Sequence, residues 1–434
     1  MGSHRGRPQA KFAAGHSPAL RGAMTEHYMA VRRMSQALCQ PLAPDDYGLQ
    51  AIPEVSPAKW HLAHTSWFFE TFLLKPFSTG YRPFHPLFEH LFNSYYEQVG
   101  APFPRPQRGL LSRPTTGEIY RYRAQIDEAM ATLLSSVDEP RWPEVAARVE
   151  LGCQHEQQHQ ELLLTDIKYN FSVNPLKPAY RPDLPPTATD TITAQAWIEQ
   201  PGGMQEIGHH GDGFCFDNES PRHRLLLATY ALASRPVTNG EFLEFIEAGG
   251  YERPEFWLAD GWRSAREKSW QAPQYWEIAD GRWQVFTLAG MRALNEHEPV
   301  CHVSFYEADA YARWAGKRLP SETEWEVIAT RETVRGNFRE AGYLHPAPVA
   351  GEDRPAQIFG DVWEWTRSPY APYPGYRPAA GALGEYNGKF MVNQLVLRGG
   401  SCITPADHVR ASYRNFFYPA DRWQFSGIRL ADDR

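Results

Sequence analysis

The sequence predicts two folded regions of different class, an all-α four-helix bundle followed by an α+β domain. Three observations carry this reading. At 434 residues the chain exceeds what a single hydrophobic core usually encloses. Its first 172 residues are dominated by segments of helical period. Prolines then crowd between Asn174 and Pro186, and beyond them short apolar runs with frequent Gly and Trp replace the helical pattern.

The helical segments run from Thr25 to Cys39, Ser56 to Phe77, Thr116 to Ser136 and Trp142 to Phe171, the element count of a four-helix bundle. Pro57 and Pro143 sit where a first helical turn tolerates proline. The stretch from Ala101 to Pro114 is too proline-rich for helix and reads as a long loop, a frequent seat of function. Pro175, Pro178, Pro182, Pro185 and Pro186 block regular helix and mark a linker. The resulting division is a disordered extension over residues 1–23, a helical bundle over 24–172, a linker over 173–193 and an α+β domain over 194–434. Within the last, Thr238 to Ala248 and Phe305 to Ala315 are brief helices.

Composition narrows the function classes. A formal net charge of −7 with scattered basic residues offers no broad attraction to nucleic acid or anionic lipid. Five cysteines (Cys39, Cys153, Cys215, Cys301, Cys402), odd in number and far apart, read as reduced thiols rather than a disulfide framework. No stretch approaches the roughly 20 apolar residues of a membrane span, and the N-terminus lacks the apolar core of a signal peptide, so a cytoplasmic location is expected.

The sharpest local signal is His155-Glu156-Gln157-Gln158-His159 within the last helical segment. Residues four apart share a helix face, and Leu151, His155, His159 and Leu162 form a stripe that points both imidazoles into the bundle. A second helix carries Trp60-His61-Leu62-Ala63-His64-Thr65, so a third imidazole can face the first two. Three neutral imidazoles suit Fe(II), Zn(II), Cu(II) or Ni(II). Read literally, HEQQH is also the zinc-peptidase motif with glutamate as general base, although the extended form would need Gly and His where Leu162 and Thr165 stand.

These residues, taken with the C-terminal half, resemble the ergothioneine-biosynthesis sulfoxide synthases. That family joins a DinB-like helical bundle to a formylglycine-generating-enzyme-type domain, a variant of the C-type lectin fold. The second half carries the signatures in order: Pro299-Val300-Cys301-His302-Val303-Ser304, Gly316 to Glu326 (GKRLPSETEWE), Gly360-Asp361-Val362-Trp363-Glu364-Trp365, Leu397-Arg398-Gly399-Gly400-Ser401 and Gly427-Ile428-Arg429. Their Trp and Gly residues are core and turn positions of the fold. The copper oxidases of related fold rely on a late cysteine pair, and Ser412 to Pro419 contains no cysteine.

The resemblance implies Fe(II) held by His64, His155 and His159, with His61 the spare imidazole, about 60° of helical rotation from His64. It implies O2-dependent joining of a thiol sulfur to hercynine, the betaine N-alpha-trimethylhistidine. Tyr95 or Tyr96 would supply a proton or hydrogen atom. Arg105 and Arg108 are candidates for the carboxylate of the thiol substrate, because guanidinium groups hold carboxylates in bidentate geometry. Gln158 and Asn415 match positions that hold hercynine, and Phe416 offers a π face to its quaternary cation. Family branches that use γ-glutamylcysteine place an acid where this chain has Phe417, so free cysteine is the expected thiol. A zinc peptidase and a non-enzymatic lectin-like binding protein are the alternatives of other classes.

Overall fold

Helical periodicity in the first part of the chain becomes four long helices in the computed structural model, which describes residues 18–187, 194–348 and 355–434. Helix α1 spans Pro18–Cys39, α2 Ala58–Phe69, α3 Thr116–Ser136 and α4 Trp142–Ser172. Residues 1–17 of the expected extension and 188–193 of the expected linker lie outside the described residues. Residues 18–23, assigned to the extension from sequence, are instead the first turns of α1. The reason is tertiary: the Arg21 guanidinium lies over the Trp142 ring at 4.4 Å and donates to the Val137 carbonyl at 2.8 Å.

Helix α2 is buried on nearly every side, from Trp60 through Phe69, which makes it the central rod. It continues through a π-helical turn at Glu70–Leu74 into Lys75–Phe77. Glu70, buried at that turn, accepts hydroxyl bonds from Tyr81 at 2.6 Å and Tyr122 at 2.7 Å. Helix α3 opens on a capping box formed by Thr115 and Glu118. The stretch from Ala101 to Pro114 is not wholly irregular, because Arg105–Leu110 forms a 3-10 turn.

Close approach of α2 and α4 depends on Gly152. A Cβ there would meet the Phe69 ring at 2.5 Å, so only glycine lets the two helices sit at this spacing. One turn later, α4 presents His155 toward α2. A buried polar network then ties the four helices at Glu156, which receives Arg32 Nη1 at 2.9 Å and Ser35 Oγ at 2.6 Å from α1, and Arg123 from α3. Arg32 also donates to Ser66 of α2 at 2.9 Å and to Asp127 of α3 at 2.6 Å.

This helical unit is not continuous in sequence. Beyond residue 170 it takes in residues 210–216 and 378–386, so a single cut near residue 173 does not separate the two units. The Glu385 carboxylate accepts the backbone amides of Glu97 at 3.0 Å and Gln98 at 2.9 Å. These contacts join residues 288 and 287 apart in sequence, and local patterning carries no trace of them.

The second unit comprises residues 171–209, 217–377 and 387–434. Its strands are β1 (Trp197–Gln200), β2 (Gly203–Ile207), β3 (His223–Leu227), β4 (Tyr230–Ala233), β5 (Trp276–Ala279), β6 (Arg282–Thr287), β7 (Gly290–Ala293), β8 (Trp363–Pro369), β9 (Leu395–Arg398), β10 (Asn415–Phe417), β11 (Ser426–Gly427) and β12 (Ala431–Asp433). One sheet has the order β1-β4-β12, so first and last strands flank the same partner. Another has the order β10-β9-β8-β11, with β11 parallel to β8. The pairs β2-β3 and β5-β6-β7 are antiparallel.

Helices Asn239–Glu247, Phe305–Trp314 and Glu322–Ala329 each begin at a capping box, on Thr238, Ser304 and Ser321. The core centres on Trp325, packed with Tyr230, Leu232, Ile328, Phe338 and Phe359. Its indole donates to Glu364 at 2.8 Å, and Glu364 is ion-paired to Arg429 at 2.7 Å. The signature residues thus act as scaffold. Among the described residues no helix is long and apolar enough to cross a membrane.

Candidate metal centre

The helical unit brings His64 of α2 together with His155 and His159 of α4: one ring nitrogen from each lies within 4.8 Å of those of the other two. His64 Nδ1 contacts the Phe92 carbonyl at 2.6 Å, so Nδ1 carries the proton and Nε2 keeps its lone pair. That Nε2 lies 3.2 Å from His155 Nε2. Trp60 stacks on His64 at 4.6 Å and Phe68 lies 4.8 Å from His155, fixing both rings. His64 and His155 are buried, whereas His159 and its neighbour Gln158 are half-exposed, so the cluster opens on the Gln158–His159 side.

Burial pushes the His155 imidazole down to about 4. His64 is driven well below the ordinary histidine value by burial and by His155, and His159 by burial and by His64 and His155. All three are therefore neutral near pH 7, the state a metal ligand requires. His155 Nδ1 has no hydrogen-bond partner. Three converging neutral imidazoles fit a divalent cation, and imidazole donors suit iron among others.

His61 stands outside this set. Its Nδ1 is 2.9 Å from His159 Nδ1 and its Nε2 is 3.0 Å from Asp166 Oδ2, so both nitrogens are engaged. Asp166 was missed in the sequence, although it lies two helical turns beyond His159 on the same face, a spacing that could have found it. Glu156 faces the other way. Burial alone would raise its carboxyl, but Arg123 and Arg32 outweigh that and hold it at about 2. A carboxylate fixed by two guanidiniums, on the face of α4 away from the histidines, is no general base, which removes the peptidase reading.

The two tyrosines differ. Tyr96 is buried, while Tyr95 is half-buried and stacks at 5.5 Å on Tyr386, another residue that sequence reasoning missed. Burial, then the Tyr96 and Tyr386 phenols, pushes the Tyr95 hydroxyl well above its usual value. The Tyr386 hydroxyl donates to Gln158 Oε1 at 3.2 Å. Tyr386 joins this unit by tertiary packing alone, so nothing near it in sequence signals the contact.

Arg105 and Arg108 also part company. Arg105 is exposed and donates to the Glu54 carbonyl. Arg108 is buried, lies 3.4 Å over the Trp60 ring, donates to Ser56 Oγ at 2.9 Å and leaves Nε without an acceptor. Among the described residues no carboxylate ion-pairs with it, and burial drives its pKa well below the usual guanidinium value. A buried cation in that condition favours an anionic ligand.

In the second unit, Asn415, Phe416 and Phe417 form strand β10, paired with β9. Asn415 Oδ1 accepts the Phe416 amide at 2.9 Å. Phe416 stacks on Tyr370 with centroids 4.0 Å apart, so one of its π faces is already covered. Phe417 meets Trp423 edge-on at 5.8 Å.

Comparison with known proteins gives a consistent picture. Residues 27–163 match the DinB superfamily, and residues 181–351 and 355–434 match the sulfatase-modifying factor enzyme 1-like domain. The hercynine oxygenase of Mycolicibacterium smegmatis is 32% identical over 415 residues, covering 88% of this chain and 92% of that protein. That of Mycobacterium tuberculosis is 32% identical over 410 residues, with coverage of 88% and 92%. The formylglycine-generating enzyme of Streptomyces coelicolor is 29% identical over 302 residues, 57% of this chain and 93% of that one.

Proposed function

The chain belongs to the hercynine oxygenase family of ergothioneine biosynthesis, and from that premise we propose that it is a non-haem Fe(II) sulfoxide synthase coupling cysteine to hercynine. The observation that carries this reading is the convergence of His64, His155 and His159, the first two of them buried. Hercynine, cysteine and O2 give hercynylcysteine sulfoxide and water. The imidazole C2–H and the thiol S–H are lost, a C–S bond forms, one oxygen atom goes to sulfur and the other leaves as water.

His64, His155 and His159 would hold the iron, which when bound supplies Lewis-acid activation of the thiol and one-electron chemistry toward O2. Arg108, a buried guanidinium lacking a carboxylate partner, would take the carboxylate of cysteine, with Arg105 at the exposed end of the same turn. The Tyr95 hydroxyl keeps its proton because of its raised pKa and would release it, or a hydrogen atom, during oxygen reduction. Tyr96 is the alternative donor, its ring 4.6 Å from that of Tyr95. Gln158, Asn415 and Phe416 are assigned to hercynine by motif position.

Cysteine is favoured over γ-glutamylcysteine because Phe417 offers no counter-charge to a second ammonium group, and the Asp421 carboxylate accepts the Tyr418 amide at 3.1 Å. A buried unpaired charge costs about 1 to 3 kcal/mol, or roughly tenfold or more in selectivity. Anaerobic loading with Fe(II), followed by O2 uptake with hercynine and each thiol, tests the proposal. Cysteine-dependent uptake yielding the sulfoxide is expected. Zinc retention with peptide hydrolysis, or metal-free hercynine binding alone, would refute it, and an equal or higher kcat/KM for γ-glutamylcysteine would reverse the thiol assignment.

A further inference from the structure

We infer that Asp166 and His61 form a hydrogen-bonded relay that fixes the tautomer and orientation of His159, making His61 and Asp166 positioning residues that set the affinity of the metal centre. The inference rests on the reading that His64, His155 and His159 hold a metal. It concerns the fourth imidazole of the cluster, which is too fully engaged to be a ligand itself.

The geometry defines the direction of each bond. Asp166 Oδ2 takes the Ser56 backbone amide at 2.8 Å and His61 Nε2 at 3.0 Å, the arrangement of an acceptor with two donors. His61 Nε2 is therefore the donor to Asp166, and its Nδ1 is left to accept. That Nδ1 lies 2.9 Å from His159 Nδ1, so the proton between them belongs to His159. His159 Nε2 is then obliged to keep its lone pair, and Nε2 is the nitrogen left to reach the cluster.

Reversing any one bond disables the ligand. If His61 donated through Nδ1, His159 would carry its proton on Nε2 and present N–H where a lone pair is needed. His61 and Asp166 are both nearly inaccessible to solvent, at 4% and 3% exposure, so water does not readily replace either partner. The relay also couples the two helices that supply the ligands, because His61 sits on α2, one turn from His64, while His159 and Asp166 sit on α4. Ligand imidazoles commonly donate their second nitrogen to a carboxylate or carbonyl, and here an intervening imidazole extends that link to Asp166.

The test uses the full chain stripped of metal by a chelator and titrated with Co(II), without substrates or O2, reading the dissociation constant and the visible spectrum of bound cobalt. His61→Ala and Asp166→Asn are each expected to weaken Co(II) binding about 10- to 100-fold and to alter the cobalt spectrum. The double variant should be no weaker than the weaker single one, because the two residues act through one chain of bonds. His61→Gln, whose amide oxygen can accept the His159 Nδ1 proton, should recover affinity to within about threefold of the parent. That recovery separates positioning from packing and does not depend on how well the alanine variant folds. Parent-like affinity in either single variant, additive losses in the double variant, or a glutamine variant as weak as alanine would overturn the relay. Failure of the parent to bind Co(II) would instead overturn the metal centre, and the relay with it. Hercynine-dependent O2 uptake tests the reaction separately.

Discussion

The helical unit and the β-rich unit bury charge in opposite ways. Among the described residues of the β-rich unit each buried guanidinium meets a carboxylate: Arg398 bonds Glu322 and Glu326, Arg414 bonds Glu322, Arg429 bonds Glu364, Arg235 bonds Glu241 and Arg422 pairs with Glu307. In the helical unit Arg32 and Arg123 are likewise ion-paired, both to Glu156, yet a few residues away three neutral imidazoles converge and Arg108 lies buried with no carboxylate partner among the described residues. Closed networks stabilise a fold, whereas open ones are completed by something from outside. The contrast separates scaffold from site without recourse to resemblance.

The largest expected effect sits in the open cluster. His155→Ala or His159→Ala should abolish stoichiometric iron binding and turnover together, while the melting temperature of the metal-free protein falls by only a few degrees. Metal analysis beside calorimetry decides it, and retention of iron by either variant would break the comparison at its strongest point. Next comes the closed network. Arg429→Met leaves Glu364 buried and unpaired and should cost about 3 to 5 kcal/mol in denaturant unfolding. A loss below about 1 kcal/mol would mean that this network is no scaffold.

Arg108→Met sharpens the contrast because the same chemical change should have the opposite signature. Its cation lacks a carboxylate partner, so stability should change by less than about 1 kcal/mol while KM for cysteine rises roughly 10- to 100-fold. Unfolding comparable to that of Arg429→Met, with KM unchanged, would move Arg108 into the scaffold. The smallest effect is expected at the phenols. Tyr95→Phe should leave substrate affinity intact and slow sulfoxide formation about tenfold or divert thiol to simple oxidation. Tyr96→Phe, fully buried beside Trp67 at 5.5 Å, should do less if Tyr95 is the donor. Identical rate and product ratio in both variants would return the pair to packing.

What the sequence determined by itself was the local and the periodic. Helical spacing located α3 at Thr116–Ser136 and α4 within a residue, and it placed His155 and His159 on one face, because residues four apart on a helix must share a side. Proline chemistry located the break after α4, since proline cannot continue a helix. Tertiary structure decided what each side chain meets. His61 and His64 differ by a small rotation on one helix. Only the approach of α4, at a spacing that Gly152 permits, made one converge with His155 and left the other bridging His159 and Asp166. The same packing locked Glu156 of the HEQQH run between Arg32 and Arg123, more than 30 residues away on either count. It also brought Tyr386 and Glu385 to the Tyr95 loop from nearly 290 residues on. Contacts so distant along the chain leave no mark on local pattern, because their formation depends on the whole fold closing around them and not on the propensity of any one segment.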